Sequence, residues 1–131
     1  MEKSKFYFEK KLSSNFEEAV EKVTVELKKY GFGVLTEINL HEKFKEKLGK
    51  DFRKYRILGA CNPGFAYKAI QIEDKVGTLL PCSVIIQEIA PEVTEVAVID
   101  PYASMKGIGS EKLLELASEA GEELKKAVDN L

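Results

Sequence analysis

The chain has 131 residues and a formal net charge of −2, with 44% hydrophobic and 32% charged residues. These values are typical of one soluble globular domain over residues 1–131, and they argue against a disordered chain or a strongly basic one. No apolar run nears the ~18 residues of a membrane span, so no membrane partner is expected. The start of the chain lacks the apolar stretch of a signal peptide, and a cytoplasmic location is expected.

Alternation and capping signals divide the first half of the chain into strands and helices. Residues 5–12 alternate aromatic and charged side chains, as a half-buried strand does. Ser14 and Glu17 have the spacing of a capping box, which predicts the start of a helix. The predicted elements of this half are a strand at 5–12, a helix at 16–30, a strand at 32–38, a short helix at 40–48 and a strand at 55–61.

The second half begins with a helix and ends with a hairpin and a long helix. Asn62 is suited to an N-cap and Pro63 to the first helical position. A tight turn at 90–92 between two apolar stretches predicts a hairpin, and 101–109 is predicted to be a loop. The predicted elements of this half are a helix to about residue 73, strands at 83–89 and 94–100, and a final helix capped by Ser110.

The order of these elements is β-α-β-α-β-α-β-β-α. The terminal hairpin and the lack of long crossovers predict an α+β fold, with a mainly antiparallel sheet and the long helices on one face. The other face of such a sheet needs cover. We therefore expect a homodimer, in which a second copy covers that face.

The two cysteines, Cys61 and Cys82, are the first candidates for chemistry. A structural disulfide between them is disfavoured in a reducing compartment. Cys61 directly precedes the predicted cap Asn62, and a helix N-terminus favours the nucleophilic thiolate, so Cys61 is the candidate catalytic residue. The alternative is a small side chain packed at the end of a strand. Cys82 follows Pro81, and nothing in its local sequence activates its thiol.

Other candidate ligands and bases are few. Two cysteines and His41 are too few ligands for a zinc site, so no metal is predicted. His41 lies in a charged helix and is expected to be exposed and solvated. Glu37 follows an apolar run and would become a general base if it were buried, whereas Asp100 before Pro101 is typical of a turn.

A basic stretch at 43–56 raises the question of nucleic acid. It carries seven basic and two acidic groups interleaved with aromatic residues, a pattern that can bind single strands. The spacing of Leu40, Phe44 and Leu48 is equally that of a helix stripe that faces the core, with solvated lysines between. Because the whole chain is slightly acidic, nucleic acid is not the expected partner.

Four short blocks resemble the domain of unknown function 302 family. They are GFGVLTEI at 31–38, YRILGACNP at 55–63, LLPCS at 79–83 and IDP at 99–101. The resemblance covers essentially the whole chain and implies a TATA-binding-protein-like fold with a curved antiparallel sheet, and a dimer. The family's pattern places cysteines at Cys61 and Cys82 and an asparagine at Asn62, and Ser83 stands where the family usually has a second asparagine. The resemblance implies no activity, because the family has none assigned.

Two hypotheses of different class follow from these observations. In the first, a homodimer binds a small ligand, with an anionic group at the helix start, in a pocket formed by Cys61, Asn62, Cys82 and Glu37. In the second, the chain is a non-catalytic dimeric interaction module whose cysteines belong to the core. Thiol redox chemistry and nucleic-acid binding rank below both. Neither a reaction nor a cofactor can be assigned.

Overall fold

The computed structural model describes residues 5–131, which form an open sheet covered by helices. The strands are β1 (Tyr7–Leu12), β2 (Gly33–Asn39), β3 (Tyr55–Cys61), β4 (Cys82–Ala90) and β5 (Val93–Ile99). The helices are α1 (Phe16–Lys29), α2 (Leu40–Leu48), α3 (Pro63–Ile72), α4 (Pro101–Met105) and α5 (Glu111–Asp129). Short 3₁₀ helices at Asp74–Leu79 and Lys106–Ile108 precede β4 and α5.

Five strands pair in the order β1-β5-β4-β3-β2, and each pairing is antiparallel. The predicted α+β fold is therefore confirmed, and so is the hairpin of β4 and β5. The TATA-binding-protein-like assignment stays a prediction. β1 and β2 are the two edges of the sheet.

Alternation along the strands gives the sheet two different faces. On β4 the side chains of Val84 and Ile86 are fully buried, whereas Ser83 is exposed and Ile85 is half-buried. The buried set packs against α1 and α5, and we call this side of the sheet the inner face. The opposite side, which contributes no strand residue to the fully buried core cluster, is called the outer face.

The core lies between the inner face and the helices α1, α3 and α5. On α1 the residues Phe16, Val23 and Leu27 recur at helical spacing, and each is at most 2% exposed. Removing such a side chain from water stabilises the fold by roughly 1.5–3 kcal/mol. Among the helices of residues 5–131, none combines the length and apolarity needed to cross a membrane.

The cap of α1 lies one residue later than predicted. Asn15 is the N-cap, and its Oδ1 accepts the Glu18 N–H at 2.9 Å while its amide donates to the Glu18 carboxylate. The predicted Ser14–Glu17 capping box is therefore wrong. Ser14 is buried instead, and its carbonyl oxygen accepts the Thr94 hydroxyl at 2.9 Å. Ser14 with Glu17 and Asn15 with Glu18 have the same spacing, so the sequence alone could not decide which pair caps the helix.

The predicted loop at 101–109 is partly helical. The Asp100 carboxylate accepts the Tyr102 N–H at 3.0 Å, so Asp100 caps the short helix α4 rather than a simple turn. Ser110 caps α5 as predicted, because its hydroxyl accepts the Leu113 N–H at 3.2 Å.

Candidate functional site

The two cysteine-containing blocks of the sequence meet side by side at one end of the sheet. β3 and β4 pair Ala60 with Cys82, and Pro81 leans over Gly59. A Cβ at Gly59 would lie 2.6 Å from Pro81 Cγ and would overlap Thr36 Oγ1. The glycine therefore allows two neighbouring side chains to close over the strand, and the GAC and LLPC blocks form one packed unit.

Asn62 uses its side chain to begin α3. Its Oδ1 accepts the Phe65 N–H at 3.1 Å, which confirms the predicted N-cap. Its amide group also packs on Gly31, where an added Cβ would lie 3.0 Å from Nδ2 and where φ is +88°. Asn62 therefore ties the turn after α1 to the start of α3, and its oxygen is already engaged in a hydrogen bond.

Cys61 and Cys82 point to opposite faces of the sheet. Cys82 lies opposite Ala60 on the inner face and is 3% exposed, whereas alternation turns the half-buried Cys61 to the outer face. Side chains that leave neighbouring strands in opposite directions lack the geometry of a disulfide, and both thiols are free. Burial, and to a lesser extent the charge of a nearby Cys61 thiolate, raises the pKa of Cys82 from 9.0 to about 12.

Thiol alkylation should distinguish the two cysteines. We expect iodoacetamide at pH 8 to modify one thiol per folded chain, at Cys61, because the thiolate is the reacting form and Cys82 is buried with a pKa of about 12. Peptide mass spectrometry after alkylation and digestion identifies the modified residue. Cys61→Ser should abolish labelling of the folded chain, and Cys82→Ala should preserve it. Equal modification of both thiols in the folded wild type would contradict the assignment.

Glu37 does not join the cysteines. It pairs with Leu58 on β3, three residues before Cys61, which is about 10 Å along a strand. Its carboxylate lies 3.3 Å from Arg56 Nη1, and its side chain is 52% exposed. The structure therefore places Cys61, Asn62 and Cys82 at one end of the sheet, with the two thiols on opposite faces. It places Glu37 in a separate ion pair, where it does not have the burial expected of a general base.

The cavities described on residues 5–131 lie away from the cysteine end of the sheet. None of these five is lined by Cys61, Asn62, Cys82 or Glu37. Within residues 5–131, no three histidine, cysteine, aspartate or glutamate side chains lie close enough to bind a metal ion together. A ligand pocket at these four residues stays a prediction.

His41 is less exposed than its charged sequence suggested. Its side chain is only 18% exposed, and Nδ1 accepts the backbone N–H of Tyr55 at 2.9 Å. The expectation of a solvated histidine was wrong. The lysines of α2 are solvated as expected, with Lys43 and Lys45 each paired to an acidic side chain and more than half exposed.

The outer face carries a groove that the sequence analysis did not single out. It has a volume of about 350 Å³ and lies over β1, β5, β4 and the start of β3. Its lining combines aromatic, aliphatic and polar side chains, among them Tyr7, Tyr55, Ser83, Ile85, Gln87 and Glu95. The signal for this face was present in the sequence, because alternate residues of the two hairpin strands belong to it.

Cross-strand pairing arranges the outer face in rows. One row is apolar and crosses four strands. It consists of Ile38, Ile57, Ile85 and Ala97. The next row is polar and crosses from β3 to β1. It consists of Tyr55, Gln87, Glu95 and Lys11. An apolar centre beside a polar border is the composition of a protein interface.

Comparison with known proteins identifies the family. The sequence model of the family described as "Domain of unknown function DUF302" matches residues 8–131. The chain belongs to the DUF302 family. Its fold is similar to the crystal structure of an uncharacterized conserved DUF302 protein from Bacillus stearothermophilus, with a TM-score of 0.88 and 28% identity over 96% of this chain and 98% of that one. No curated protein matches this DUF302 chain.

Proposed function

We propose that this DUF302 chain is a non-catalytic interaction module that pairs with a second copy of itself through the outer face of its sheet. The observation that carries the proposal is the apolar row on that face, in which Ile38 is exposed and Ile57 and Ile85 are half-buried, beside a polar row. Two residues of the cysteine end also support the proposal, because they already have structural roles: Cys82 packs in the core and Asn62 caps α3.

A second copy suits this face because a two-fold interface must be complementary to itself. Each patch then meets its own symmetry mate, so a useful face carries both signs of charge around an apolar centre. The polar row includes Glu95 and Lys11 as neighbours, and Arg53 donates to Gln87 at 2.7 Å beside them.

Charge placed in the apolar row should break the pair. We expect Ile85→Asp to raise the dissociation constant at least about 100-fold, because a carboxylate would be buried at the centre of the interface. Sedimentation equilibrium at micromolar concentration measures this constant. Ile85 lies outside the core cluster, so the variant should keep the wild-type circular dichroism spectrum.

Val25→Asp is the matched control. Val25 is 50% exposed on α1, away from the sheet, so this variant should associate as the wild type does. A wild-type chain that sediments only as a monomer at micromolar concentration would refute the proposal. Equal weakening of association by both substitutions would also place the interface elsewhere.

A small ligand in the outer groove is the second candidate function. The groove of about 350 Å³ is within the usual size of small-molecule sites, and hydroxyl, amide and carboxylate groups converge on its apolar floor. Native mass spectrometry of the protein from its source reports dimer mass and any retained ligand together. A retained compound whose release is accelerated by Tyr55→Ala would favour this function; a ligand-free dimer would favour the interaction module.

A further inference from the structure

His41 lies two residues beyond the end of the pairing between the edge strand β2 and β3. The pairing of these strands ends at Asn39 with Arg56, and the chain then turns into α2. Tyr55, the first residue of β3, therefore has no partner on β2. Its backbone groups point to that side, because the carbonyl of the preceding Lys54 is already bound to Glu88 of β4 at 3.0 Å.

The imidazole of His41 takes the place of the missing strand partner. Nδ1 lies 2.9 Å from the backbone nitrogen of Tyr55 and 3.1 Å from its carbonyl oxygen. The backbone N–H can only donate, so Nδ1 carries a lone pair and the proton of the neutral ring is on Nε2. One ring nitrogen thus stands within hydrogen-bond distance of both a donor and an acceptor of the same residue.

We propose that His41 is a pH-sensitive clasp on the start of β3. In the neutral ring, Nδ1 accepts the Tyr55 N–H. When Nδ1 takes a proton from water, the new N–H donates to the Tyr55 carbonyl, and two N–H groups then face each other. The backbone N–H of Tyr55 then loses its acceptor, while the ring stays bound to the Tyr55 carbonyl oxygen, so protonation exchanges one hydrogen bond between α2 and β3 for another.

Some of the charged groups around the His41 ring favour its protonated form, and others disfavour it. On its exposed side, Glu42 Oε2 lies 4.0 Å from Nε2 and favours the imidazolium. On its inner side the ring meets the edge of Phe16 at a centroid distance of 6.2 Å. Two cations lie over that same phenyl ring and disfavour a third charge, with Lys54 Nζ at 5.9 Å and the Arg56 guanidinium at 5.0 Å.

The carboxylates of Glu17 and Glu37 reduce the field of Arg56, since each lies 3.3 Å from its guanidinium. His41 is the one histidine of the chain, so the imidazole signals of the protein report a single site. Tyr55 lines the outer groove and begins the polar row. Any effect of acidification on the pairing of two copies rests on the proposed function, whereas the clasp itself does not.

Nuclear magnetic resonance of the full chain tests the clasp. At pH 8 we expect the Nε2–H tautomer. On lowering the pH to 5, amide exchange at Tyr55, corrected for its intrinsic rate and divided by that at Ile57, should rise roughly two- to tenfold, the range of one lost hydrogen bond. An Nδ1–H tautomer at pH 8, or an unchanged exchange ratio across the ring titration, would overturn the proposal.

His41→Asn is the matched variant, because its amide oxygen is an acceptor that does not titrate in this range. It should hold the Tyr55 exchange ratio constant between pH 8 and 5, and a pH response equal to that of the wild type would overturn the clasp. If this variant fails to fold, the tautomer of His41 in the wild type at pH 8 tests the clasp on its own. Sedimentation at both pH values separates the two proposals: a pH-dependent exchange ratio in a monomeric chain supports the clasp and refutes self-association.

Discussion

Gly59→Ala should lower the free energy of unfolding by about 2–3 kcal/mol, the usual range for overpacking a closed site. The added methyl group would lie 2.6 Å from Pro81 Cγ and would overlap Thr36 Oγ1. Threonine can turn its hydroxyl away, but the proline ring is rigid and must shift with the start of β4. For a chain of this size the melting temperature should fall by about 10 °C, measurable by calorimetry or circular dichroism.

Gly33→Ala provides the control on the neighbouring strand. Among residues 5–131, no atom beyond the two chain neighbours of Gly33 lies within 4 Å of a Cβ built there, and the residue is exposed. This variant should be as stable as the wild type or more so, because alanine restricts the unfolded chain. Equal melting temperatures for Gly59→Ala and the wild type would show that Pro81 and Thr36 do not close over β3.

Cys82 should make the folded chain sensitive to alkali. Its pKa is 9.0 when unperturbed and about 12 in the fold, mainly because of burial. Between these values the unfolded chain has released a proton that the folded chain retains, so stability is complete below pH 9 and falls as the pH rises. The contribution of this group should decline by about 1.4 kcal/mol per pH unit, to a total on the order of 4 kcal/mol.

Urea unfolding of the wild type and Cys82→Ala between pH 8 and 11 measures this contribution. Tyrosines and lysines titrate in both proteins, so their effect cancels in the difference. The variant should be less stable at pH 8, because a buried side chain becomes smaller, but its stability should fall less steeply with pH. Parallel pH profiles for the two proteins would contradict the burial of the Cys82 thiol.

The strands and caps that were predicted correctly from the sequence are those whose position depends on a single local signal. Asn62 and Ser110 cap α3 and α5 because a polar side chain precedes an apolar helix stripe. The cap of α1 was misplaced because Ser14 and Asn15 offer the same spacing. The Thr94 hydroxyl, which binds the Ser14 carbonyl, comes from β5 and is invisible to a local pattern.

The candidate site was harder to predict because it depends on pairing register. Cys82 follows Cys61 by twenty-one positions in the sequence, yet β3 and β4 place the two blocks side by side. Sequence spacing could not show that the two thiols point to opposite faces, nor that Glu37 pairs with Arg56. Likewise, His41 reaches Tyr55 only because β2 ends at Asn39 and the chain turns directly into α2, which leaves Tyr55 without a partner on β2.

The location of the interface is the central claim, and isotope-filtered nuclear magnetic resonance tests it most directly. A mixture of ¹³C-labelled and unlabelled chains gives nuclear Overhauser effects only between copies. The proposed pairing predicts such effects from the methyl groups of Ile57 and Ile85 to outer-face protons of the other copy. Intermolecular effects confined to helix residues, or none at a concentration where the chain sediments as a dimer, would contradict it.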